Sequence, residues 1–125
     1  MIGALVPIVL LPRFSSFVGA GTYTTEPIPV EGFDKGQLMF WRGPLVGGAP
    51  SNPFRTYFEE SHDASAWSEA ATTPSQPVTT ANTLEGYAVH FKKRWFRIRV
   101  VLAANASGVV GISLWMVGEL EQRVD

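Results

Sequence analysis

Ser61, His62 and Asp63 are consecutive and have the residue types of a hydrolytic triad. Catalysis requires the three side chains to converge, with serine on imidazole and imidazole on carboxylate. Consecutive residues of an extended chain point to alternating sides, and the sequence contains no G-x-S-x-G elbow. Serine and aspartate at a bend bind nearby backbone instead. We therefore predict a structural turn here and no catalytic residues.

The residues around this turn could also bind a divalent cation. Glu59, Glu60, His62 and Asp63 supply hard oxygens and one imidazole, which suit such a cation. No EF-hand or H-x-x-x-H spacing accompanies them, and His90 is the other histidine. The absence of cysteine excludes thiolate metal sites, iron–sulfur clusters and disulfides. We expect surface carboxylates at the end of a strand, with no metal and no cofactor.

Basic residues concentrate in one stretch near the C-terminal third of the sequence. Half of the ten lysines and arginines fall within eight positions, interleaved with aromatic residues: Lys92, Lys93, Arg94, Trp95, Phe96, Arg97 and Arg99. Stacking rings with cations is how single-stranded nucleic acid is held. Cross-strand ion pairs with a residue such as Glu59 explain the same run without a ligand. Because the formal net charge is −1, we favour a charged or interfacial face and do not expect nucleic acid as a partner.

Tryptophans are the other candidate binding residues. If the strands alternate, Trp41, Trp95 and Trp115 cannot all lie in one core. Exposed tryptophans form either an oligomer interface, where tryptophan and arginine are enriched, or a platform for carbohydrate, for which Trp41, Trp67 and Trp115 are candidates. A third interpretation buries both faces of the C-terminal strands. We favour the interface.

Composition limits the fold that carries these residues. The 125 residues suit one domain, and 12 glycines with nine prolines disfavour long helices. Only 17% of the residues are charged, below the usual fraction of about 25%, whereas 46% are hydrophobic. This balance indicates an all-β domain with part of its surface in contact with another protein.

The first 18 residues predict an extended apolar arm. No lysine or arginine precedes the apolar run, so a secretory signal is not favoured, and the run is shorter than a membrane span. Pro7 and Pro12 favour extended backbone without amide donors. We expect the arm outside the sheet, against its own domain or a neighbouring subunit, with these contact residues: Ile2, Leu5, Val6, Ile8, Leu10, Leu11 and Phe14. Deletion of residues 1–12 should then leave the remaining domain folded.

Residues 19–125 read as one antiparallel β-sandwich of about eight short strands, of jelly-roll or Greek-key type. Predicted strands cover residues 22–30, 37–42, 54–60, 64–71, 94–102 and 110–120, and residues 47–53, 72–82 and 105–108 are connections. In the last two strands the predicted core residues alternate: Phe96, Ile98, Val100, Leu102, Ile112, Leu114 and Met116.

The order of three segments resembles the small β-sandwich virion proteins of tailed bacteriophages and gene-transfer particles. These segments are residues 27–33 (PIPVEGF), residues 57–63 (YFEESHD) followed by Trp67, and residues 93–100 (KRWFRIRV). The resemblance covers most of residues 20–120. Where that family has glycine or threonine after the E-E-S-x-D turn, this chain has Ala64. The resemblance implies a structural subunit of capsid decoration, head–tail joining or tail assembly, with no catalytic residues.

We therefore expect a non-enzymatic capsid decoration (cement) protein located in the virion. Its partners would be copies of itself, as a trimer, and the major capsid protein, with no membrane. Besides the arm, the expected interface residues are Trp41, Trp95, Arg97, Arg99 and Trp115. A head–tail or tail protein and a carbohydrate-binding module are the alternatives.

Overall fold

The computed structural model describes residues 4–12, 15–46, 54–70, 82–102 and 110–123, and they confirm the predicted all-β sandwich. In chain order the described strands are β1 Leu5–Leu11, β2 Ser16–Val18, β3 Gly21–Thr24, β4 Ile28–Pro29, β5 Phe33–Val46, β6 Phe54–Ser61, β7 Ser68–Glu69, β8 Thr83–His90, β9 Trp95–Leu102 and β10 Gly111–Gln122. The predicted connections 47–53 and 105–108, and all but Asn82 of 72–82, lie outside the described residues.

The strands form two antiparallel sheets. Sheet A has the order β1-β10-β5-β8, with β2 also paired to β10. Sheet B has the order β3-β9-β6-β7, with β4 also paired to β9. Successive strands such as β5 and β6, or β8 and β9, belong to different sheets, as in Greek-key sandwiches. Each sheet therefore has one face in the core and one outer face.

The alternation predicted for β9 and β10 is confirmed. Phe96, Ile98 and Val100 of β9 are at most 1% exposed, and Leu114 and Met116 of β10 are fully buried. These side chains share one face of each strand because successive side chains point to opposite sides. Rings also pack between the two sheets, with the Phe58 and Tyr87 centroids 5.6 Å apart. The two sheets thus enclose one core.

Strand β5 is much longer than the predicted segment 37–42, because Gly43 and Pro44 do not end it. Leu114 pairs with Arg42 and Ile112 with Leu45, so the two residues Gly43 and Pro44 oppose only Ser113. This is a β-bulge. A residue in a bulge does not have to donate a hydrogen bond to the neighbouring strand, so the missing amide hydrogen of the proline is tolerated there. The strand predicted over 64–71 is reduced to Ser68–Glu69, and β8 was not predicted.

The N-terminal segment is part of sheet A, so the prediction of an arm outside the sheet is wrong for β1 and β2. Leu5 pairs with Glu121 and Val9 with Val117 at the sheet edge. The register shifts between Val9 and Leu11, and this bulge turns two consecutive leucines inward. Leu10 and Leu11 are core residues and Ile8 packs against the core. Ile2 and Phe14 lie outside the described residues.

Candidate functional site

The Ser61–Asp63 segment is the predicted structural turn. The Ser61 hydroxyl accepts hydrogen bonds from the Asp63 and Ala64 amides (3.2 and 2.9 Å) and donates to Asp63 Oδ1 at 3.0 Å. Asp63 Oδ1 also accepts the amides of Ser65 and Ala66, both at 2.9 Å. The Ala66 and Ser65 amides, followed by the Ser61 hydroxyl, lower the pKa of Asp63 to about 2. His62 is exposed, and both partners of the serine belong to the turn.

Ala64 gives this turn its one unusual backbone conformation. Its φ is +61°, in the left-handed region that glycine adopts most easily. Alanine keeps the turn here because the serine and aspartate bonds hold the backbone on either side.

The outer face of sheet B carries the cross-strand ion pairs that the sequence predicts. Glu59 of β6 accepts Arg97 Nε at 2.9 Å on one oxygen and Arg99 Nε at 3.0 Å on the other. The side chain of Glu59 is only 8% exposed. One carboxylate therefore bridges two arginines that project from the same side of β9.

Two rings cover these arginines. The Arg97 guanidinium lies 4.2 Å from the Trp67 ring centroid, and that of Arg99 lies 4.0 Å from the Tyr57 ring centroid. Both distances are within the range of cation–π attraction. We call Tyr57, Glu59, Trp67, Arg97 and Arg99 the Glu59 cluster. Because both arginines pair with Glu59 of the same chain, the cluster accounts for two of the five basic residues of the run without a ligand.

Part of the outer face of sheet A is apolar. Two rows of paired residues cross its strands without a charge: Val9, Val117, Met39 and Gly86 in one row, and Trp115, Trp41 and Leu84 in the next. Val9, Met39 and Leu84 are 62%, 42% and 50% exposed, which is unusual for large apolar side chains that lie together. We call these seven residues the apolar face.

The two tryptophans of this face stack on each other across β5 and β10. The Trp41 and Trp115 ring centroids are 6.2 Å apart, with 17° between their planes. Charged residues begin in the adjacent row, where Glu119 pairs with Pro7 and Gln37, and in the row after it Lys35 Nζ lies 3.4 Å from Glu121 Oε2. The apolar face is thus bordered at one end by Glu119 and, beyond it, by the Lys35–Glu121 pair.

The predicted interface residues do not lie on one surface. Leu5, Trp41 and Trp115 are on the outer side of sheet A, whereas Trp95, Arg97 and Arg99 are on that of sheet B. Val6 and Ile8 face inward, and Leu10 and Leu11 are core, which corrects their assignment as contact residues. Sequence reasoning missed Val9, Met39, Leu84 and Val117. Recognition of β1 and β8 as strands would have placed Val9 and Leu84 on the outer side by alternation.

The described residues include no group of three or more acidic or histidine side chains arranged to hold a metal ion. None of the described ranges includes a helix long and apolar enough to cross a membrane.

Comparison with known proteins identifies the fold. No protein-family model and no curated protein matches the sequence. The structure is similar to the crystal structure of PBSX exported protein XepA, with a TM-score of 0.66 and 15% sequence identity. The match covers 96% of this chain and 38% of that one. The chain therefore spans well under half the length of this structural neighbour, with which it shares a fold.

Proposed function

We propose that this chain is a non-enzymatic structural protein of a phage particle, and specifically a capsid decoration (cement) protein that acts as a homo-oligomer. The observation that carries the proposal is the apolar face of sheet A. Exposed, contiguous apolar surface on a folded domain marks a contact with another protein, and tryptophan at its centre is typical of an interface.

A structural role is supported by the way the polar groups are used. Ser61 and Asp63 hold a turn, and Glu59 is paired with two arginines of its own chain. None of these groups faces a reactive partner as a nucleophile and base must. Ser61, Asp63 and Glu59 therefore stabilise the sandwich, which favours the outer surfaces as the functional part.

The phage assignment is supported by two independent similarities. The sequence segments around residues 27–33, 57–63 and 93–100 resemble small virion proteins, and the protein of similar fold is a phage (PBSX) exported protein. In the proposed mechanism, copies of the chain bury the apolar face against one another on the major capsid protein lattice. The Lys35–Glu121 pair at one end of the face fixes its orientation.

The experiment is to follow the chain in particles made by the genome that encodes it. Heads and tails are separated on a density gradient, and the chain is detected in each fraction. We expect the wild-type chain with the heads and at least a tenfold loss of head-bound chain for Val9→Lys, which places a charge on the apolar face. Thr22→Lys is the matched control, because it makes a similar change on the exposed outer side of sheet B.

Recovery with tails alone would replace decoration by the tail or head–tail alternative, and absence from all particle fractions would contradict a virion role.

The stacked Trp41 and Trp115 rings favour one further candidate, a carbohydrate-binding module. A glycan array tests it, since sugar binding lost in Trp115→Ala would support that module. Trp67 is a weaker platform because the Arg97 guanidinium covers one side of its ring.

A further inference from the structure

A cationic cavity lies at the end of the sandwich where β4 turns into β5, β6 into β7 and β8 into β9. Its volume is about 240 Å³. Lys92, Lys93 and Arg94 line it from the β8–β9 connection, and Arg123 lines it from the residue after β10. Phe91, which is nearly buried, contributes an apolar side chain to the lining. The cavity is separate from the apolar face and from the Glu59 cluster.

The charges of this cavity are not balanced within the described part of the chain. Four cationic side chains line the cavity with the carboxylate of Glu31, and the buried Glu60 carboxylate next to it accepts the Lys92 amide at 3.4 Å, which leaves an excess of two positive charges. The Arg94–Glu31 pair is 3.5 Å long and its side chains are 63% and 71% exposed, so it neutralises little. No described carboxylate forms an ion pair with Lys92, Lys93 or Arg123. Lys93 Nζ instead contacts the neutral Ser68 hydroxyl at 2.8 Å.

The backbone around the cavity is fixed before any ligand arrives. The Val30 amide donates to the Arg94 carbonyl at 2.7 Å, and the Arg123 amide donates to the Gly32 carbonyl at 2.9 Å. The Phe91 amide donates to the Asp34 carbonyl at 3.1 Å. These bonds join the two segments that carry the cations to residues 30–34, so binding an anion there costs little ordering of the backbone.

From this geometry we propose that the cavity binds a phosphate group, either as the free ion or as a small phosphate monoester. Clustered cations around a concave site attract and concentrate anions. Arginine and lysine form charge-assisted hydrogen bonds to phosphate oxygens, and the guanidinium fork matches two of them. A doubly charged phosphate balances the excess of two positive charges better than a singly charged carboxylate does.

The test is a titration of the ¹⁵N-labelled full chain with inorganic phosphate and, separately, with glycerol phosphate, at constant ionic strength set by sodium chloride. We expect saturable shifts of the amides of residues 91–94 and 123. Lys92→Gln and Arg123→Gln should each weaken binding at least fivefold, since both side chains are exposed and their loss leaves the fold intact. Arg55→Gln, which removes one charge outside the cavity, should leave the affinity unchanged.

Tighter binding of the monoester than of the free ion would identify an esterified phosphate as the ligand, and the reverse order would identify the free ion. The proposal is overturned if the shifts do not saturate or if Arg55→Gln weakens binding as much as Lys92→Gln. Equal binding of acetate would also overturn the assignment to phosphate.

Discussion

At the residue scale, the Glu59 carboxylate is the polar group on which the most contacts depend. It lies on the outer side of β6, yet Arg97, Arg99 and their covering rings shield it from solvent. The sequence predicts the cross-strand pairing, because Glu59 and the two arginines fall on outward positions of predicted strands. It could not predict the burial, which arises because Trp67 packs against Arg97 from a segment outside the regular strands.

Glu59→Gln should destabilise the fold by about 2 kcal/mol. The change removes the charge that both arginines face and leaves two guanidinium groups, 20% and 29% exposed, without their ion pair. Urea denaturation measures the loss. Glu26→Gln, at an exposed position outside the Glu59 cluster, should stay within about 0.5 kcal/mol of the wild type. Equal effects of the two changes would mean that the Glu59 cluster adds no stability.

Asp63 should contribute a pH-dependent part of the stability. Its pKa is about 2 in the folded chain against an ordinary value of 3.8, because it accepts the Ala66 and Ser65 amides and the Ser61 hydroxyl. A lowered carboxyl pKa gives stability that is present above about pH 4 and is lost as the pH falls towards 2. The difference in urea midpoint between wild type and Asp63→Asn should therefore shrink over this window. A constant difference from pH 6 to pH 2 would contradict the assignment.

At the element scale, the sequence predicts strands with regular alternation and fails where a bulge or small residues interrupt that alternation. Strands β9 and β10 were predicted with their core faces because long regular alternation has a period of two. The sequence does not predict the full length of β5, because glycine followed by proline usually ends a strand. Here Gly43 and Pro44 form a bulge opposite Ser113, and the strand continues past them. Strand β8 was missed because Gly86 and Ala88 interrupt its outward apolar positions.

The bulge in β1 has a measurable consequence. Leu11→Ala should cost about 2–4 kcal/mol, because Leu11 is 7% exposed and its removal leaves a cavity between the sheets. Val9→Ala, two residues away but 62% exposed, should cost less than about 1 kcal/mol. Thermal and urea denaturation of the two variants give the comparison. Two equally small losses would mean that β1 is a detachable arm, as the sequence alone predicts.

On the scale of the whole molecule, the low charge of the sequence has a specific location. The low fraction of charged residues predicts a surface in contact with another protein, but composition does not show where on the fold that surface lies. The pairing of β1, β10, β5 and β8 brings Val9, Val117, Met39 and Leu84 together on one outer face. Residues that are up to 108 positions apart in sequence meet there, which no local pattern could show.

The most direct test of the proposed interface is the native mass of the purified chain, measured by light scattering after size exclusion. We predict a multiple of the 13.7 kDa chain mass, with a trimer as the expected state. Val9→Lys should return the mass to that of one chain, because it places a charge within the apolar face, whereas Thr22→Lys should keep the wild-type mass. A wild-type chain that elutes as a monomer, or an oligomer that survives Val9→Lys unchanged, would contradict an interface through the outer face of sheet A.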